Sequence, residues 1–365
     1  ACVVLVATMA TLAAALPDGG WVRPLLPLFL LAMVPGLVAV WWLPRVRAEG
    51  VTFLLVLLVA VVIRVPFVSI EPGLSDDVYR YLWDGRVQVA GWNPYGIAPE
   101  DPALDPVEAE WPADERVRPR VNHPEHPTVY PPFLELVFAV VASLAGGLAS
   151  WKLLLLIAEL LLALTIVRGL EAVGRDPRVV LLYLWHPLPV VEVAWNAHAE
   201  LLAVLPLVWC AVLLLEERRG LAGIALGGAI AAKLLPVGLI PLLLRRGGLT
   251  AGFLAGGTVL WLAFPFADID LDAALGGIRE YGGSWYFNDL VYRPLGHVLG
   301  LSPEDRLARG TFALRAGLAG AWALVAVWSS GRSPLVAGLA ITGAFVQHSP
   351  THHPWYQHWD QPHCL

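Results

Sequence analysis

The feature that most constrains this chain is a succession of apolar runs, each close to the roughly 20 residues a helix needs to cross a hydrocarbon layer about 30 Å thick. They fall at residues 3–16, 25–43, 51–68, 151–167, 179–194, 201–215, 249–267, 311–328 and 335–346, joined by short Arg- or Pro-bearing stretches. With 57% hydrophobic and only 15% charged residues, against about a quarter charged in soluble domains, the chain cannot hide its apolar surface from water. The runs predict an all-α fold, a polytopic transmembrane helical bundle of about 10 to 12 spans, some of them broken. A single domain over residues 1–365 accommodates them all.

A net charge of -6 with basic residues scattered in ones and twos excludes a nucleic-acid-binding stripe. Cys2, Cys210 and Cys364 lie far apart, so neither a disulfide framework nor a zinc site is indicated. The first residues enter an apolar run without a Met, which fits a chain that begins part-way through a reading frame. The polar stretch after Phe345 reads either as a genuine tail or as a truncated or frame-shifted terminus.

Orientation follows from Lys and Arg in short loops, which stay on the cytoplasmic side. Five joints qualify: Arg45 with Arg47; Arg168 with Arg175 and Arg178; Arg218 with Arg219; Arg245 with Arg246; and Arg332. All five share one side only if the run 131–148 does not span and 221–244 goes in and out again. Pro131-Pro132 and Gly146-Gly147 bound the first run, which suits a juxtamembrane helix. Lys233 and Pro236 interrupt the second, and an intramembrane Lys seeks an anion or water. The opposite, extracytoplasmic side then receives a large loop at 70–132, the joint 195–200, a second loop at 268–310 and the His-rich tail.

The 70–132 loop opens with Ser75-Asp76-Asp77-Val78-Tyr79-Arg80-Tyr81-Leu82-Trp83-Asp84-Gly85-Arg86. It reads as a helix with Ser75 as N-cap, Asp76 and Asp77 in the first turn and Gly91 past its end. Carboxylates there meet the positive end of the helix macrodipole and stay ionised. Val78, Tyr81, Leu82 and Val89 form one face, and Asp77, Arg80, Asp84 and Gln88 another, the pattern of a helix lying on the membrane surface. The plainer alternative is i,i+4 ion pairing of Arg80 with Asp76 or Asp84 on a solvated helix. Residues 121–132, with His123, His126 and Tyr130 between prolines, return the chain to the membrane in extended form. The aromatic residues of 195–200 also fit a plain interfacial belt.

This first block, followed by Asn93-Pro94-Tyr95, Tyr130-Pro131-Pro132, Asn196-Ala197-His198, Lys233 with Pro236, and His353-Pro354-Trp355-Tyr356, resembles the GT-C superfamily of integral membrane glycosyltransferases, in particular bacterial mannosyltransferase-like members. The resemblance implies transfer of a hexose, most simply mannose, from a polyprenyl-phosphate carrier to an extracytoplasmic glycan, lipid or protein acceptor in the plasma membrane. It implies an aspartate general base at Asp76 or Asp77, with Asp76 the first choice.

Outside the cytoplasm no nucleotide sugar is available, so the leaving group is a phosphate monoester. Arg, Lys or His can neutralise it through charge-assisted hydrogen bonds, so no metal or cofactor is expected. Arg80, Arg86, Lys233, His198 and Arg293 are the candidate phosphate ligands, and His123, Tyr130, Asn196, His353 and Tyr356 the candidate substrate contacts. A secondary transporter or lipid flippase built around the broken helix at Lys233, and a ligase using a diphosphate-linked donor, are the rival functions.

Overall fold

A computed structural model describes residues 50–112, 115–144, 146–268, 291–301 and 309–348, together with Val34 and Val38. The runs expected at 3–16 and 25–43 therefore lie outside the described residues, Val34 and Val38 apart. Every regular element among those described is helical. In chain order the principal helices are α1 (Gly50–Arg64), α2 (Asp77–Val89), α3 (Pro132–Ser143), α4 (Leu148–Ala172), α5 (Leu201–Leu215), α6 (Arg219–Ala232), α7 (Ile240–Ala263), α8 (Arg309–Ser329) and α9 (Pro334–His348).

Three stretches among the described residues, Leu148–Ala172, Leu235–Phe266 and Thr311–Ser329, are long and apolar enough to cross a membrane, which does not confirm the 10 to 12 spans expected of the whole chain. The remaining apolar helices are shorter: α3 has 12 residues, about 18 Å of helix against a bilayer core of about 30 Å.

The second of the three stretches is not straight. Gly248 has φ 75 and ψ -178, a conformation open to glycine without steric cost. The Leu244 side chain lies 2.6 Å from where a Cβ on Gly252 would stand, although residues eight apart on a straight helix are about 12 Å apart along the axis. The chain reverses there. The second half of α7 then runs parallel to α6, since Cβ atoms on Gly223 and Gly227 would stand 2.3 and 2.5 Å from the carbonyl oxygens of Ala251 and Ala255. Such small-residue seams let helix backbones approach closely in lipid, where dispersion replaces the hydrophobic effect as the driving force.

The run 179–194 departs from expectation. It is not one helix but a chain of short turns, Pro177–Val180, Leu181–Leu184, Pro187–Pro189 and a π-helical Val190–Trp195. Pro187 and Pro189 lack the N–H that an α-helix would use, and the His186 Nδ1 accepts from the Leu188 N–H at 3.1 Å. The π turn aims Glu192 and Trp195 inward, both buried.

The ends of α4 define the two poles of the bundle. At its start Trp151 Nε1 donates to the Ala197 carbonyl at 2.8 Å. Lys152 Nζ donates to the Phe67 carbonyl, also at 2.8 Å. About 26 Å further on, Arg168 pairs with Glu216 just beyond α5. Arg246 reaches the Arg332 carbonyl at 2.8 Å, and Arg219 packs its Cβ against Gly247. The described arginine joints are thus drawn to one pole and the 195–200 segment to the other.

α2 is buried on all sides rather than laid on a surface. Residues 78–87 are buried, Arg80, Asp84 and Arg86 among them. Tyr81 stacks on Phe138 of α3 at 4.9 Å and meets Tyr130 edge-on at 5.0 Å, while Phe138 packs against Trp151 of α4 at 5.4 Å. The surface-helix expectation fails because the polar face finds protein partners, α3 and the returning loop, in place of solvent.

Candidate active site

The helix of the Ser75-Asp76-Asp77 segment starts one residue later than its sequence signal. Asp76 is the N-cap, and the Ser75 hydroxyl accepts from the Asp77 N–H at 3.2 Å. One residue decides the orientation of the pair. Asp76 is exposed at the rim, whereas the Asp77 side chain is 23% exposed and turned toward the bundle.

Three contacts orient Asp77 and what lies beneath it. The Asn122 amide donates to Asp77 Oδ1 at 2.8 Å, and the His198 Nε2 stands 3.8 Å from Asp77 Oδ2. On its other side the His198 Nδ1 is 3.0 Å from the Glu192 carboxylate. His198 is 1% exposed. Burial by itself pulls its proton affinity down, but the Glu192, Glu200 and Asp77 carboxylates outweigh it and hold the imidazole above its ordinary value.

Glu200 extends the network to the broken helix. Its carboxylate lies 2.5 Å from Lys233 Nζ. Although burial opposes ionisation, Lys233 and His198 keep Glu200 below the usual carboxylate range. Lys233 itself is extended, at φ -159 and ψ 144, which turns its side chain out of the helical track at the break. Burial first pushes the Tyr81 and Tyr130 phenols well above their normal range, with Tyr130 next for Tyr81 and the Asp77 and Glu200 charges adding to both.

The segment carrying His198 is locked into place. Asn196 Oδ1 accepts from the Leu74 N–H at 3.0 Å, and Trp195 Nε1 donates to the Glu71 carbonyl at 3.0 Å. Ala197, with no exposed surface, holds φ 63, a left-handed conformation that costs a non-glycine residue of order 1 kcal/mol. Contacts on both sides over-determine this strained backbone. An interfacial belt, the plainer expectation for 195–200, does not describe side chains this deeply enclosed.

A family model described as alpha-(1->6)-mannopyranosyltransferase, N-terminal domain, matches residues 3–245. The chain belongs to this family. It is a GT-C type mannosyltransferase, and so a hexosyltransferase of the membrane. No curated protein and no solved structure matches it. The matched stretch holds every member of the Asp77–His198–Lys233 network, whereas Arg293, His353 and Tyr356 lie beyond it.

Other expected site residues of this mannosyltransferase have different surroundings. Arg80 is buried, its Nε 2.9 Å from both oxygens of Asp84 and its Nη2 on the His126 carbonyl at 3.0 Å. Arg86 donates to the Glu115 carbonyl at 2.9 Å and lies 3.6 Å from the centre of the Trp111 ring. Both guanidinium groups are occupied in holding the loop on α2. His123 is half exposed and 3.4 Å from Glu125. Arg293 belongs to the short helix Tyr292–Val298, with its side chain outside the described residues, as are His353 and Tyr356.

Sequence reasoning missed Asn122, Glu192, Glu200 and Tyr81 as members of the site. Glu192 did carry a signal: a lone carboxylate inside the apolar run Val190-Val191-Glu192-Val193 is costly in a membrane and marks a functional interior. Among the described residues no group of three His, Cys, Asp or Glu is set to hold a metal ion.

Proposed function

We propose that this mannosyltransferase moves a mannosyl group from a polyprenyl-phosphate carrier to an extracytoplasmic acceptor, with Asp77 as general base. The observation that carries the reading is the orientation of Asp77, held through Asn122 at 2.8 Å and faced by buried His198 at 3.8 Å. Its exposed edge meets the acceptor. Asp76, the first choice from sequence, is exposed at the rim without such a frame.

In the proposed step the acceptor hydroxyl gives its proton to Asp77 while its oxygen attacks the anomeric carbon. The bond from that carbon to the carrier phosphate breaks, and its electrons leave on the phosphate oxygen. A positioned base supplies about 10² to 10⁴ in rate. Lys233 receives the phosphate charge, in a setting where partial dehydration strengthens charge-assisted contacts. A single displacement inverts the anomeric centre, so the α-(1→6) product named for the family requires a β-linked donor.

The extracytoplasmic placement rests on the bundle's polarity. Arginines gather at the pole of Glu216 and Arg332, and short basic loops are retained in the cytoplasm, which supports an extracytoplasmic Asp77. As before, residues 1–365 are read as one domain, with 70–132 as the large loop over the site and 268–310 as a second loop. The test is transfer from a β-linked polyprenyl-phosphate mannose, which Asp77→Asn abolishes while the chain stays folded. An α-linked donor used equally well would overturn the single displacement.

A further inference from the structure

Turns from three parts of the chain meet at the pole opposite Asp77: the joint between α5 and α6, the reversal at Gly248, and the joint between α8 and α9. Between them lies a cavity of about 400 Å³ lined by Arg219, Arg245, Arg246, Leu214, Leu215 and Glu217, among others. Arg246 is fixed through the Arg332 carbonyl at 2.8 Å. The Arg245 guanidinium stands 3.6 Å from the position of a Cβ on Gly331.

What separates these arginines from Arg168 and Arg178 at the same pole is neutralisation, and what separates them from Arg175, Arg218 and Arg332 is that Arg219, Arg245 and Arg246 all line the one cavity. Arg168 pairs with Glu216 and Arg178 with Asp176, whereas Arg219, Arg245 and Arg246 have no carboxylate partner among the described residues. Retention of basic loops needs positive charge at this pole, but it does not need three guanidinium groups drawn from two turns into one concavity with a single carboxylate, Glu217. Arginine forks match phosphate oxygens bidentately. Leu214 and Leu215 supply an apolar wall beside them, at the ends of membrane helices.

We infer that this cavity binds a phosphate group, offered by the headgroup of an anionic lipid of the leaflet at that pole. It is a second anion site, separated from Asp77 by most of the length of α4. It depends on neither the donor nor the base assigned above.

The test is native mass spectrometry of the full chain in detergent, titrated with phosphatidylglycerol, with phosphatidylcholine, and with inorganic phosphate alone. The expected result is one phosphatidylglycerol held at least tenfold more tightly than phosphatidylcholine. Each arginine near a lipid surface is worth about fivefold in affinity, so Arg219→Gln, Arg245→Gln and Arg246→Gln together bring the two lipids level. Arg168→Gln, which removes a charge already paired at the same pole, leaves the preference intact.

Binding of inorganic phosphate at millimolar concentration, lost in the triple variant and without lipid preference in the native chain, supports the phosphate site and assigns a soluble source. Absence of both preferences in the native chain overturns the inference. So does an Arg168→Gln effect as large as the triple variant's, because that result reports only the general field of the pole.

Discussion

Asp77→Asn isolates one charge at nearly constant shape. The asparagine carbonyl still accepts from Asn122, whose amide lies 2.8 Å from Asp77 Oδ1, so the start of α2 keeps its connection to the loop. What disappears is a proton acceptor and a negative charge 3.8 Å from the His198 Nε2. At an effective dielectric constant near 20 that separation gives a ceiling of about 4 kcal/mol. The side chain is 23% exposed, which lowers the figure toward the ~1 kcal/mol of exposed pairs. Folding stability is therefore expected to fall by about 1 kcal/mol, while the rate falls by 10² to 10⁴, or about 3 to 5 kcal/mol of barrier. Radiolabelled mannose transfer in proteoliposomes reads the rate, and thermal unfolding in the same detergent reads the fold. Asp76→Asn, at the exposed rim, is expected to stay within tenfold of the native rate. Native activity in Asp77→Asn together with loss in Asp76→Asn would move the base to Asp76 and remove the Asn122–His198 frame from the mechanism.

Lys233→Ala is expected to raise the donor KM by tenfold or more with a smaller change for the acceptor, since it removes the phosphate's cation; Lys233→Arg retains part of the affinity in the same kinetic assay. Glu159→Ala leaves the Arg64 guanidinium, 2% exposed and 2.6 Å from the Glu159 carboxylate, buried without its counter-ion, at a cost of about 3 to 5 kcal/mol; paired leucines at both positions recover most of the Tm. His198 binds its proton more tightly in the fold than the ordinary imidazole does. Its stabilising effect is therefore complete below about pH 6.5 and is lost as pH rises through the raised folded value. His198→Gln flattens that part of a Tm-versus-pH curve. Gly227→Val drives a Cβ to within 2.5 Å of the Ala255 carbonyl oxygen, an overpacking expected to cost about 1 to 3 kcal/mol, seen as a lower midpoint in thermal unfolding.

Much of the architecture is local and so was legible in the amino-acid order. Apolar run length marks membrane-compatible helices such as α4 and α8, because a helix buries its backbone polar groups within itself. The breaks at Lys233-Pro236 and Pro131-Pro132 follow from a missing N–H and a fixed φ. The Ser75-Asp76-Asp77 start was read to within one residue from its capping chemistry. Where prolines crowd a run, as at Pro187 and Pro189, the same local rule should have outweighed hydropathy, and the expected span over 179–194 was wrong for that reason.

Partner choice lay beyond reach of the sequence. Arg80 had Asp76, Asp77 and Asp84 within one helical turn, and only the packing of α3 and the loop carbonyl of His126 directs it to Asp84. Asp77 meets His198 from another part of the chain, and Glu200 meets Lys233 across the break between helices. Hydropathy and capping act within about four residues, whereas these side-chain contacts arise when distant helices exclude water from a shared interior. Composition and local propensity thus determined that the chain is a membrane helical protein with an acidic helix start. Tertiary structure alone decided which aspartate is framed by partners, because neighbouring carboxylates on one turn differ only in the direction they face.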